Sequence, residues 1–122
     1  MEYSKEFEEC WKILEKELSE KTFIHNWTYV HDHIGEDFTA LWVKAPLAVE
    51  GDYIDVEPHS AKKNQRVRKH SVYNVYKYWI GYSGGRIERS CLSDYKKNPD
   101  ATRHSKYIIS MLHQFENKIF SK

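Results

Sequence analysis

Two amphipathic stripes, one near each end of the chain, restrict the folds open to it more than any other feature. Phe7, Trp11, Leu14 and Leu18 recur at i, i+4, i+7 and i+11, with Cys10 beside them and Glu and Lys on the other faces. Ser4 stands where an N-cap belongs, so the spacing predicts a helix from Ser4 to about Glu20. Ile108, Met111, Leu112, Phe115 and Ile119 make the second stripe, predicting a helix from about Thr102 to Phe120 with Asp100 or Thr102 as its cap. Such helices dock on a core or on a second copy of themselves, and docking on the chain's own core is the expectation.

The segments between the stripes change period. Phe38 to Val43 alternates Phe38, Ala40, Trp42 against Thr39, Leu41, Val43, and both sets are partly apolar, which reads as a strand covered on both sides. Pro46 and Gly51 mark a loop before a second strand, Tyr53-Ile54-Asp55-Val56, so an antiparallel hairpin is expected. Val67 lies off the stripe of Val72, Val75, Tyr76 and Trp79, which favours a turn near Ala61–Asn64, a third short strand over Gln65–Lys69 and a fresh helix capped by Ser71. That helix runs from Val72 to Tyr82 and ends at Ser83-Gly84-Gly85. Thr22 to Asp37 has no sustained period and reads as a loop with a short strand in its middle. Ile87 to Tyr95 reads as a short helix and Asn98-Pro99-Asp100 as a turn. The expected architecture is one α+β domain over residues 1–122: a small antiparallel sheet of two to three strands packed with three to four helices, with a helix-turn-helix-like C-terminal part.

At 122 residues, with 40% hydrophobic and 30% charged side chains, the chain can bury a core without staples. Cys10 and Cys91 are its two cysteines, which points to free thiols in a reducing compartment. The opening Glu2, Lys5, Glu6, Glu8 and Glu9 make neither a secretory leader nor an anchor, and no apolar run approaches a membrane span, so a cytoplasmic location with no membrane partner is expected.

Charge is where the sequence leans toward a function. Residues 1–57 hold 5 Lys and no Arg against 14 Asp/Glu, a net −9, whereas residues 58–122 hold 14 Lys/Arg against 4 Asp/Glu, a net +10. This split permits a basic face on a nearly neutral chain, unless the two halves fold against each other and cancel. Within a helix-turn-helix-like unit from Ile87 to Leu112, Arg103, His104, Ser105 and Lys106 crowd the start of the second helix, where side chains reach base edges and backbone N–H groups meet phosphate. Arg86, Arg89, Lys96 and Lys97 extend the set, and Lys62, Lys63, Arg66, Arg68 and Lys69 supply a basic strand beside it. The expected partner is DNA or RNA, held by Arg66, Arg68, Lys69, Arg86, Arg89, Arg103, Ser105 and Lys106. Packing alone also explains many helix pairs joined by a turn.

Other constellations are weaker. His25, His31, Asp32, His33, Glu36 and Asp37 form a polar cluster whose His-x-His pair could meet a divalent metal, but it lacks the helical spacing of a dedicated site, so surface histidines and no metal are expected. Tyr73, Tyr76, Tyr78, Trp79 and Tyr82 crowd one helix, and outward ones such as Tyr73 and Tyr78 suit base stacking or a protein interface. This supports a second reading, a homodimeric interaction or small-ligand-binding module. No nucleophile is paired with a base, Gly84-Gly85 lacks the following lysine of a phosphate loop, and neither catalysis nor a cofactor is expected.

The run Ile24-His25-Asn26-Trp27-Thr28, the segment Val75-Tyr76-x-x-Trp79-x-x-Tyr82 and the end Arg103-x-Ser105-Lys106-Tyr107-Ile108-Ile109-Ser110 together resemble small bacterial proteins of the mobile, integron gene-cassette type. The resemblance implies a bacterial, cytoplasmic accessory protein with a compact α+β fold. It assigns no catalytic residue.

Overall fold

The computed structural model describes residues 3–27, 37–49, 51–58 and 63–120. In chain order its elements are α1 (Lys5–Glu17), β1 (Thr22–Ile24), β2 (Phe38–Val43), β3 (Tyr53–Pro58), β4 (Gln65–Arg68), α2 (Lys69–Tyr76), α3 (Trp79–Ser83), α4 (Ser90–Ser93), α5 (Ser105–Gln114) and α6 (Glu116–Ile119). The chain is α+β. Its sheet is an antiparallel meander in the order β1-β2-β3-β4, with each strand paired to its sequence neighbour.

Strand alternation assigns the two faces of the sheet. Ile24, Phe38, Ala40, Trp42, Ile54, Val56 and Val67 are buried and face the helices, and Trp42, Ile54 and Val67 lie side by side in one inward row. α1 begins where Ser4 Oγ accepts the Phe7 N–H at 3.2 Å. Its stripe docks on that face, with the Trp11 and Trp42 rings 4.3 Å apart. The Trp42 N–H also donates to the Leu18 carbonyl, tying the end of the helix to the sheet. α5 is the most buried helix, with every residue from Tyr107 to Leu112 inside, and Tyr107 meets Phe38 edge-on at 5.1 Å.

Several expectations need correction. Among the described residues the sheet has four strands where two to three were expected, because Thr22–Ile24 pairs with β2 at the start of the segment read as a loop. Among the described residues helices pack over one side of β2 only, and on the other side Thr39, Leu41 and Val43 are half-buried. Among the described residues there are six helices where three to four were expected. α2 starts at Lys69, directly off β4, so Ser71 is a helical residue and not the cap. The helix expected over Val72–Tyr82 is divided near Tyr78, which lets adjacent side chains serve different partners. Tyr78 Oη donates to Asp100 and Trp79 Nε1 to Glu116, each at 3.0 Å. The last helix begins at Ser105 and is divided at the buried Phe115.

The glycine stop is present as expected. Gly85 has φ +78° and the Arg86 N–H returns to the Gly81 carbonyl at 2.9 Å. A Cβ on Gly81 would crowd the end of the Ile87 side chain, which would have to move aside.

The helix-turn-helix-like expectation changes most. α4 is a single turn, residues 94–104 separate it from α5, and α5 is the centre of the helical layer. A recognition helix must show a face to the groove. Beyond its first turn α5 has only the exposed Gln114 and the half-buried His113 to show.

Candidate nucleic-acid interface

β4 alternates Gln65 and Val67 inward with Arg66 and Arg68 outward. Val67, fully buried, fixes that register, since a one-residue slip would bury the arginines instead. Three outward rows follow from the pairing: Phe23–Thr39–Glu57, Leu41–Asp55–Arg66 and Val43–Tyr53–Arg68. In the last two, the guanidinium carbons of Arg66 and Arg68 sit 5.1 and 5.3 Å from the centre of the Tyr53 ring. Cation–π contact with one ring therefore gathers two guanidinium groups on the uncovered face of the sheet.

A second link brings in the start of α5. His104 Nε2 lies 3.3 Å from Gln65 Oε1, joining the residue before α5 to the first residue of β4. Burial, and secondarily the charge of Arg103, hold the His104 imidazole below its ordinary pKa, so the ring is favoured in its neutral form. Arg103 beside it is exposed. Lys106 is exposed too, with its ammonium 5.0 Å from the Tyr107 ring. Among the described residues neither Arg66, Arg103 nor Lys106 has an ion-pair partner.

The remaining expected contacts separate from this corner. Ser105 is 1% exposed and points into the core, so it does not present its hydroxyl to a ligand. Lys69 is held by Glu8 of α1 at 2.6 Å with its ammonium over the Tyr3 ring. Arg86 and Arg89 are exposed but belong to the turn between α3 and α4, beside Glu88 and its partner Lys97. Cancellation between the acidic and basic halves is thus partial. Glu8 and Glu17 of α1 take Lys69 and Lys118, while Arg66, Arg103 and Lys106 have no ion-pair partner among the described residues.

The other candidates resolve as follows. His25 Nδ1 is 3.7 Å from Asp37 Oδ2; His31, Asp32, His33 and Glu36 lie outside the described residues, among which no group of three metal-ligating side chains occurs. Tyr73 and Tyr78 are half-buried, Tyr73 edge-on to Phe7 at 5.0 Å and Tyr78 bonded to Asp100, so neither is a free stacking surface. Burial pushes the Cys10 thiol up to about 12, which makes it a poor nucleophile. Among the described residues no helix is long and apolar enough to cross a membrane. Three residues that sequence reasoning passed over matter here: Tyr53, Gln65 and Phe23. Tyr53 was legible only as a strand residue, because its role comes from the cross-strand register that puts it opposite Arg68.

Family models, curated proteins and solved structures give no match to this chain.

Proposed function

We propose that the protein binds nucleic acid at the β4–α5 corner and the adjoining open face of the sheet. The observation that carries this reading is the pair of guanidinium groups over Tyr53 on a sheet face that no described helix covers. Planar guanidinium groups donate in a fork that matches phosphate oxygens and also stack on bases. Arg103 and Lys106 extend the cationic path from the sheet edge to the first turn of α5. That turn contributes as a point of phosphate contact, not as the leading end of a helix inserted into a groove. Carboxylates on the same face are already engaged: Glu57 accepts from Lys21 at 2.9 Å and Asp55 from Asn64 at 2.9 Å.

The test is an anisotropy titration of a labelled oligonucleotide at about 50 and about 200 mM salt. Binding should weaken steeply with salt, and replacing Arg66 and Arg68 with alanine should lower the log–log salt slope by about 2, roughly one per lost phosphate contact. Lysine at both positions keeps charge but not the planar fork, and should recover only part of the affinity. Binding that ignores both pairs of substitutions overturns the reading.

A second reading, self-association, is favoured by one separate observation. Leu47 and Val49 on the loop between β2 and β3 are fully exposed, on a base fixed by Asp52, which accepts from the Ala45 N–H at 2.9 Å and from Trp42 Nε1 at 3.0 Å. Sedimentation giving the mass of one chain at high concentration rejects it.

A further inference from the structure

Phe23 is the largest exposed ring on the open face of the sheet, 53% accessible, at the edge opposite Arg66 and Arg68. Isolated exposed apolar side chains are common and need no purpose. Phe23 differs in how firmly it is displayed. The Gln114 side-chain amide donates to the Phe23 carbonyl at 2.8 Å and accepts the His25 N–H at 2.9 Å, so the backbone that follows the ring is fixed from the helical layer. The His25 ring packs edge-on against it at 4.9 Å. Beside it lies a hollow of about 140 Å³, lined by Phe23, Asp37, Phe38, Thr39, Glu57 and Pro58.

We propose that Phe23 is a base-stacking position, and that the ligand of this face is therefore single-stranded and not duplex. The inference rests on the nucleic-acid reading of the same face. A duplex keeps the flat sides of its bases inside the stack; only an unpaired base can lay one on an aromatic ring. Strand spacing and rise put Phe23 roughly 15–20 Å from the two arginines, a span that a short run of nucleotides crosses over the rows between. The charges give the two ends different tasks. Guanidinium groups at β4 take phosphate, whereas at the β1 end Glu57 is paired with Lys21 and Asp37 accepts the Asn26 N–H, which leaves the Phe23 ring as the contact there. The strand thus lies diagonally, with its backbone toward β4 and a splayed base at Phe23.

The experiment compares one labelled oligonucleotide as a single strand and as a duplex, against the wild-type protein, Phe23→Ala, Phe23→Trp and the Arg66→Ala/Arg68→Ala pair. Thermal melts confirm that each variant is folded, as an exposed position allows. The single strand should bind more tightly than the duplex. Phe23→Ala should weaken it by about 5- to 100-fold, the range for one stacked base, with the salt slope unchanged because no phosphate contact is lost. Phe23→Trp should retain binding. If the duplex binds as tightly, or Phe23→Ala has no effect while the arginine pair still weakens binding, this inference fails and the guanidinium reading stands. If neither nucleic acid binds at low salt, both fail. A dimer that Phe23→Ala abolishes, without oligonucleotide binding, assigns the face to a second copy and overturns both.

Discussion

Gln114→Ala isolates a device on which both the sheet and the Phe23 platform depend. β1 is an edge strand of three residues, and an open edge invites pairing with another chain. Here the Gln114 amide occupies that edge, giving a donor to the Phe23 carbonyl and an acceptor to the His25 N–H, as a neighbouring strand would. Each bond contributes about 0.5–1.5 kcal/mol net, and partial exposure puts both near the lower end. Alanine is the better helix former by a few tenths of a kcal/mol, which offsets little. A loss of about 1 kcal/mol is expected, a fall in melting temperature on the order of 4 °C for a domain of this size. Urea unfolding measures the loss, and amide exchange at His25 should accelerate. Gln114→Glu sharpens the test. Its carboxylate still accepts from His25 but faces the Phe23 carbonyl without a proton to donate, so at neutral pH it should be no more stable than the alanine variant. An alanine variant within about 0.3 kcal/mol of wild type, with unchanged His25 exchange, would refute the edge-cap argument.

Gly81→Ala should change stability by less than about 1 kcal/mol, because the end of Ile87 can swing aside and alanine is the better helix former by about 1 kcal/mol, and adding Ile87→Ala should remove the remaining crowding in a double-mutant cycle measured by urea unfolding. His104 has a folded pKa below its unfolded value of about 6.5, so its contribution is fully present above that value and is lost as pH falls through the folded pKa; His104→Gln should flatten the pH–stability curve there, and an unaltered curve would exclude the imidazole as its source. Thiol titration at neutral pH should find the half-buried Cys91 reacting in the native protein and the buried Cys10 only after denaturation, whereas two fast-reacting thiols would contradict the burial of Cys10.

What the sequence made legible was governed by local period. The stripes of α1 and α5, the alternation of β2 and β3, the strand around Val67 and the glycine stop at Gly85 all depend on residues within one or two turns of each other. β1 was lost in a loop because three residues are too few to carry a period, and its edge is completed by Gln114, 89 positions beyond His25. The uncovered face of β2 was misread because Thr39, Leu41 and Val43 are apolar enough to suggest a cover, and whether one exists depends on how many helices pack elsewhere. Ser105 shows the same limit: a hydroxyl at a helix start suits a ligand or a core equally well, and only the packing of α5 against the sheet decides. Arg66 and Arg68 were legible as charge, but their convergence on Tyr53 required the β3–β4 register.

The two edges of the sheet are protected by different means, and the difference bears on function. β1 is closed by a side-chain amide, a device that consumes the backbone polar groups of that edge and leaves the Phe23 ring as its contact. β4 instead carries outward arginines, and charge on an edge strand by itself discourages pairing between chains. If blocking that edge were the whole purpose of Arg66 and Arg68, any cation would serve and lysine would be neutral. What edge protection does not require is that both guanidinium groups share one tyrosine ring on the open face. That arrangement holds two long side chains together on one ring despite their like charge, with their planar donor forks on the same face of the sheet. The same two residues can thus guard the edge in the free protein and supply the contact in the bound one, with affinity, not stability, distinguishing arginine from lysine.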